Sequence, residues 1–489
     1  MRLLLTETLW LALGGGILGL ALGWASLRGL NLLGADQLPR AANLQIDGVV
    51  LLTALAACLV VGALLALPLV WHCRPDRLAD TLAVESRGGT TSRAAHRLRH
   101  TLIVAQFALA FVLLAGAGLL GLSFQRVLAV PPGFQPKQVL TGVVALAGDR
   151  YNDTKQRVAF SARLAQEVAG IPGVASVGVS SSLPFGDNQS VNGITVPGHK
   201  SQPGESLLAH YTTGVTGNYF TALGIPLREG RFLTADDTAR GDHVCVVDDV
   251  FARIYWPDSS ALGHQLYNGV PEEGEKPCTI VGVVGAVKQT DLADEKPKGA
   301  IYLPYAYYDS RNLNVALRTA LPPASLGPAL RAAVLRLDPN MPVTALQTLD
   351  GRIDESLVSR RSPLLVAAIF AGAALVLAGI GLYGVLAYTV AQRRREIGVR
   401  LALGARPDQI RAQFLRLGTR LVVIGVLLGG LGTFFLGRAM RSLLFGVTSG
   451  HLGVLAATAT ILVAIALVAC LLPAARAALV PPMEALRAD

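Results

Sequence analysis

The sequence predicts an α-helical integral membrane protein with six transmembrane helices and one large water-exposed α/β domain that contains a β-rich inserted subdomain. Three observations predict it. The 489 residues are 52% hydrophobic and only 16% charged, with a mean hydropathy of +0.47, a composition found in membrane proteins. Six apolar segments, roughly 8–30, 49–71, 101–124, 364–391, 418–440 and 453–475, each approach the ~20 residues that a spanning helix needs. Between the third and the fourth lies a long stretch with helix and strand periodicities of its own.

The first segment opens on Met1-Arg2, and Ala21-Leu22-Gly23 offers a small-x-small cleavage site. The apolar run is longer than a signal peptide needs and a second span follows it without a folded domain between, so a retained helix is expected. Arginine placement orients the spans. The basic linker 73–98 carries Arg74, Arg77, Arg87, Arg93 and Arg97 against Asp76, Asp80 and Glu85, and 392–420 carries eight Arg against Glu396 and Asp408. Both are expected in the cytoplasm, and with six spans the two termini as well. Of the net charge of +10, none comes from residues 125–362, which hold 22 basic and 23 acidic residues. The excess is explained by topology and by contact with anionic membrane lipids, so nucleic acid is not an expected partner.

The first span, 99–125 in the complete part of the chain, leads into the domain 126–362. There Phe160, Leu164 and Val168 form a helical stripe, Ile171-Pro172-Gly173 stops it, and Val174–Ser181 reads as a strand. Near the end Leu326, Leu330, Val334 and Leu337 repeat the pattern, with Asp338-Pro339 as the break and Pro342–Leu346 as the strand. Between these halves, Val244–Val247, Thr279–Val284 and Ala300–Leu303 are strand-like runs among Gly, Pro and Asp turns.

The last part, 363–489, holds three spans and the densest basic cluster, Arg393-Arg394-Arg395. After it, Ile397, Leu401 and Gly404 recur at i, i+4, i+7, which predicts an amphipathic helix over 393–406 with an apolar-and-small ridge offered to a partner. A stop-transfer cluster followed by an ordinary interfacial helix fits the same spacing. Gly15-x-x-x-Gly19 with Arg28 matches Gly425-x-x-x-Gly429 with Arg438 at a constant offset of 410. Leu67-Pro68 likewise matches Leu472-Pro473. Small residues four apart let helices approach closely in a bilayer, so these glycines are expected at helix-packing faces.

Segments along the chain resemble a MacB/FtsX-type ABC transporter permease, closest to the duplicated orphan permeases of acidobacteria. They include Arg97–Leu120, Gly217-Asn-Tyr-Phe220, Leu223-Gly-Ile-Pro226, Ala252-Arg253-Ile-Tyr255-Trp256-Pro257, Ile280-Val-Gly-Val-Val-Gly285 and Ile301-Tyr302-Leu303-Pro304. Further on come Gly379-Ile-Gly381-Leu-Tyr-Gly384, the Glu396–Ala405 helix and Pro482-Met483-Glu484-Ala485-Leu486-Arg487. The resemblance implies that 1–72 are the last two helices of an incomplete first permease half, 126–362 a MacB-like periplasmic domain and 363–489 an FtsX-like domain in the bacterial inner membrane. It also implies that Glu396, Ile397, Arg400, Leu401, Ala402, Leu403, Gly404 and Ala405 couple the chain to a cytoplasmic ABC ATPase. Gly381 and Gly384 join the packing glycines. Pairing with a second copy or another permease half, and a periplasmic partner, are further expectations.

The chain carries no G-x-x-x-x-G-K-[ST], G-x-S-x-G, H-E-x-x-H or C-x-x-C. No catalytic residue, metal site or cofactor is therefore expected in it, and ATP falls to a partner subunit. His199, His210, His243 and His264 are scattered, and Asp236, Asp237, Asp242, Asp248 and Asp249 fit no calcium loop and read as a solvated acidic surface. Of five cysteines only Cys245 and Cys278 fall in the exported domain, and the sequence leaves their disulfide open. Two functions follow: a permease subunit that converts ATP hydrolysis by its partner into motion of the periplasmic domain for efflux, or a non-transporting membrane-anchored scaffold or sensor for an envelope protein.

Overall fold

A computed structural model describes residues 10, 13–21, 23–25, 28, 47–72, 93–199, 207–240, 243–294, 298–440, 444–448 and 450–478. Most of the linker 73–98, Asp242 and the terminal motif Pro482–Arg487 lie outside them. The chain divides into two compact units, one of residues 1–126 and 358–489, the other of residues 127–357.

The first unit is helical. Helices α1 (Gly48–His72) and α2 (Arg93–Leu128) come first. Among the described residues, four helical stretches are long and apolar enough to cross a membrane: Arg99–Leu128, Leu349–Gln392, Pro407–Ala439 and Leu452–Arg476. These are the third to sixth of the expected spans; the first two fall on residues described only in part, with apolar helix at Leu13–Ala25 and Gly48–Val60. A continuous core runs through the bundle, from Phe107 and Phe111 through Leu382 and Leu386 to Leu421, Val422, Leu462 and Ala466.

The second unit opens with β1 (Val139–Ala145), α3 (Thr154–Ala169) and β2 (Val174–Ser180). It closes with β10 (Asn312–Thr319), α7 (Gly327–Leu337) and β11 (Val343–Thr348). The strand order β11-β1-β10-β2 is antiparallel throughout. Two βαβ units interleaved in this order make a ferredoxin-like layer. Its core is the pair of helical stripes seen in the sequence: Phe160, Leu164 and Val168 from α3 meet Leu330, Ala333 and Val334 from α7 over Leu140, Val144, Val179 and Val315 of the sheet. Asp153 caps α3 by accepting from the Lys155 N–H at 3.1 Å. The edge strand β11 is interrupted by a bulge against Thr141–Val143, where Ala345 has φ +46°, which blunts its open side against further pairing.

Everything between β2 and β10 is an insertion; its strands close into a ring, and one of them also pairs with β2 of the frame. They are β3 (Val191–Thr195), β4 (Ala209–Gly217), β6 (Val244–Asp248), β7 (Gln265–Asn268), β8 (Cys278–Val284) and β9 (Ala300–Pro304), with the short β5 (Leu227–Gly230) added to β8. Pairings run β4–β3–β7–β8–β6–β9 and return from β9 to β4. The β-rich subdomain is therefore a six-stranded barrel. A barrel this small is filled by its own side chains, here Ile194, Cys245, Val247, Leu266, Cys278, Ile280, Ile301 and Leu303, with Phe251 from α6 (Asp249–Tyr255). Two further short helices, α4 (Tyr219–Leu223) and α5 (Ala235–Arg240), lie between β4 and β6.

The acidic cluster is a solvated surface only in part: Asp236 is exposed, but Asp237 and Asp248 are buried. Asp237 is 4% exposed and clamps the Arg231 guanidinium with both oxygens, at 2.7 and 2.9 Å. That ion pair, with bonds from Thr234, holds the Asp237 carboxyl below the usual carboxylate range. Asp248 is 2% exposed and caps α6, accepting from the Phe251 N–H at 2.8 Å. The spacing of acids in sequence could not separate caps from surface charges, because a helix of seven residues gives almost no periodic signal.

Candidate functional site

The basic segment after the long helix α8 (Leu349–Gln392) was the candidate site in the sequence. It forms a short helix, α9 (Arg394–Ala402), followed by a tight reversal into α10 (Pro407–Ala439), with α11 (Leu452–Ala478) closing the bundle. The reversal is a Schellman motif: the Ala405 N–H donates to the Arg400 carbonyl at 2.9 Å and the Gly404 N–H to the Leu401 carbonyl at 3.1 Å. Gly404 sits at φ +93°, a conformation that costs a residue with a Cβ about 1–2 kcal/mol. Pro407 then occupies the first turn of α10, where its missing N–H is no loss. Gly404 is thus explained by the backbone, rather than by the close approach of a partner.

Of the predicted ridge, Ile397 and Leu401 point inward and Gly404 does not. Ile397 is 4% exposed and belongs to the bundle core with Val390, Ile410, Phe414 and Ala474, and Leu401 packs against the same cluster. A helix that caps the bundle end satisfies its apolar face within its own chain, which amphipathic spacing alone cannot distinguish from a docking face. The side turned outward carries Glu396, Val399, Arg400, Ala402, Leu403 and Gly404. Leu403 is 83% exposed. Glu396 and Arg400 pair at 2.5 Å, and Arg400 also donates to Gln413 Oε1 at 3.2 Å. The structure therefore offers an exposed leucine flanked by a fixed pair of charges, and of the eight residues read as coupling residues it turns Ile397 and Leu401 away.

The packing glycines separate into two sets. A Cβ built on Gly425 would lie 2.6 Å from Phe107 Cβ, and one on Gly429 2.6 Å from Phe111 Cβ, so α10 rests directly on α2 at both. Gly381 faces Gln106 of α2. Gly15, Gly19 and Gly384 have nothing within 4 Å, and it is Gly16 that meets Cys58 of α1. Cys245 and Cys278 are both buried free thiols. In the parallel pairing of β6 with β8, Cys245 stands opposite Ile280, so Cys278 is its diagonal neighbour inside the barrel. Burial, and then the hydrogen bond with Cys278, push the Cys245 thiol up. Among the described residues no group of three or more His, Cys, Asp or Glu is arranged to hold a metal ion.

A family profile described as the MacB-like periplasmic core domain matches residues 102–347, and one described as the FtsX-like permease C-terminal matches 368–481. The chain belongs to the MacB/FtsX-type ABC transporter permeases. It is 29% identical over 291 residues to the probable export ATP-binding/permease protein MacB of Pseudomonas entomophila, covering 56% of this chain and 42% of that protein. Against the macrolide export ATP-binding/permease protein MacB 1/2 of Paracoccus denitrificans it is 32% identical over 297 residues, covering 56% and 41%. The chain spans less than half the length of these curated relatives. Among solved structures, the periplasmic region of MacB from Actinobacillus actinomycetemcomitans aligns at 17% identity and a TM-score of 0.31, covering 46% of this chain and 95% of that one. As a MacB/FtsX-type permease, the chain is a multi-pass membrane protein whose MacB-like segment is periplasmic.

Proposed function

We propose that this permease subunit works by mechanical coupling: a separate cytoplasmic ABC ATPase hydrolyses ATP, and the bundle passes the resulting motion to the periplasmic domain to drive efflux. The observation that carries the reading is the outward side of α9, where Leu403 stands exposed beside the paired Glu396 and Arg400. Such an apolar anchor with a charged rim is suited to a protein interface. The export names of the relatives support the direction, and their ATP-binding/permease names support work with an ABC ATPase. Arginine placement supports cytoplasmic termini.

The test separates the two faces of α9. Leu403→Asp is expected to reach the membrane at normal levels yet lose binding and stimulation of the co-expressed ABC ATPase. Ile397→Asp is expected to disrupt the bundle itself. Undiminished ATPase binding and stimulation by Leu403→Asp would overturn the coupling role and favour a scaffold without transport. A single cysteine at position 90, labelled in intact spheroplasts by a membrane-impermeant thiol reagent, would overturn the orientation; labelling at position 240 is the expected result.

A further inference from the structure

We infer that the helical unit holds one anionic phospholipid at the crossing of α2 and α8, with its phosphate on Arg99. Arg99 is the first residue of the membrane-length stretch of α2, and its guanidinium lies 4.1 Å from the centre of the Tyr388 ring. Stacking of this kind uses the face of the guanidinium and leaves its five N–H groups directed outward in the plane. Among the described residues, no carboxylate, carbonyl or hydroxyl takes up those donors. Tyr388 is 43% exposed, and its hydroxyl accepts from Gln392 Nε2 at 3.1 Å, which leaves its own hydrogen to donate. A planar fork and a phenol beside it form a cradle for a phosphodiester carrying one negative charge.

The surroundings select a lipid over a free anion. On α2 the exposed Leu102 and Leu109 lie three and ten residues beyond Arg99, on the same side of the helix. Ten residues of helix cover about 15 Å, half of the ~30 Å hydrocarbon thickness. On α8 the exposed Ile380 and Leu377 lead away from Tyr388 in the same way, past Gly384, which has open space beside it. Two apolar tracks of one leaflet's depth thus start from one cation that no carboxylate among the described residues neutralises. A diacyl lipid with an anionic headgroup fits both the charge and the tracks.

The full-length protein is reconstituted in nanodiscs of equal parts phosphatidylcholine and phosphatidylglycerol, and retained lipid is counted by native mass spectrometry. Wild type is expected to keep one phosphatidylglycerol in preference to phosphatidylcholine. Arg99→Gln should weaken retention about tenfold, the effect of losing one charge-assisted contact. Arg99→Lys, which keeps the charge without the planar stack, should fall between. Arg411→Gln removes one charge on α10, next to the Asp408 that Arg411 faces at 3.7 Å, and should leave retention unchanged. If Arg99→Gln does not insert, Tyr388→Leu takes its place with a loss in the same direction. The inference is overturned by retention in Arg99→Gln equal to wild type, or by an equal loss in Arg411→Gln, which would mean diffuse attraction. Displacement by millimolar inorganic phosphate, meaning a free-anion site, would overturn it too. So would disulfide cross-linking between copies through Leu109→Cys, meaning that a second copy covers the groove.

Discussion

The periplasmic domain buries two titratable side chains whose proton affinities move in opposite directions, and removing either one should expose the other. His210 on β4 is 1% exposed. Its Nδ1 faces the Lys298 carbonyl, so that nitrogen carries the hydrogen, and Nε2 accepts from the Tyr255 hydroxyl at 2.9 Å. Burial lowers His210 from 6.5 to about 4. Burial raises Asp248 from 3.8 to about 7, against the pull of the Phe251 and Ala300 N–H groups. The two flank the same residue: the His210 ring is 4.6 Å from that of Phe251, whose N–H donates to Asp248. Between about pH 4 and 6.5 the unfolded chain protonates the histidine and ionises the aspartate, while the folded chain does the reverse. Both states hold one proton on this pair, so its contribution to the pH slope of stability is close to zero. His210→Gln leaves Asp248 alone, with a folded affinity above the unfolded one. Its contribution is then full at low pH and lost as pH rises towards 7, by at most about 1.4 kcal/mol per pH unit. Asp248→Asn leaves His210 alone, and stability should rise with pH at most at that rate up to about 6.5. The assay is urea unfolding of residues 127–357 in steps from pH 4.5 to 7.5, followed by the fluorescence of Trp256, the one tryptophan in that span. Parallel pH profiles for wild type and His210→Gln would refute the reasoning.

Three further outcomes are expected. Gly404→Ala should lower the thermal midpoint of the full chain in detergent, because φ +93° costs an L-residue about 1–2 kcal/mol; an unchanged midpoint would remove the Schellman constraint. Gly425→Ala and Gly429→Ala should destabilise the bundle while Gly384→Ala does not, since only the first two would press a Cβ within 2.6 Å of a phenylalanine. Equal midpoints for the three variants would argue against the α2–α10 contact. In the reduced fragment 127–357, Cys245 and Cys278 should resist a thiol reagent until urea opens the barrel, because both are buried and burial pushes the Cys245 thiol up. Rapid labelling of the native fragment would contradict the buried placement.

Periodic elements were legible in the sequence, and closures were not. The stripes Phe160–Leu164–Val168 and Leu330–Val334 located α3 and α7, and the runs at 244, 279 and 300 located β6, β8 and β9. Strands β1, β3, β4, β5, β7 and β10 escaped: β4 is buried on both faces and so lacks alternation, while β3, β5 and β7 have only four or five residues each and give little periodic signal. Without them the barrel could not be inferred from the sequence. At the candidate site the sequence located the helix, but Ile397 and Leu401 turned out to serve the bundle core, and Leu403 carries the exposed apolar surface. Spacing gives the face and leaves open what covers it. The stack of Arg99 on Tyr388 joins residues 289 positions apart, beyond the reach of any local pattern.

The position of the barrel within the chain bears on how such proteins diversify. The barrel enters after β2 and leaves before β10, and these two strands are antiparallel neighbours, with Ser180 opposite Asn314. That is the geometry of a hairpin, so the whole barrel occupies the place of a turn. The strands nearest in sequence to the membrane helices, β1 and β11, belong to the other layer and pair with each other. The barrel is nevertheless tied to the frame, because β4 pairs with β2 from Gly178–Gly217 to Ser180–Val215, so a replacement for it would have to keep the β4 edge that continues the frame's sheet.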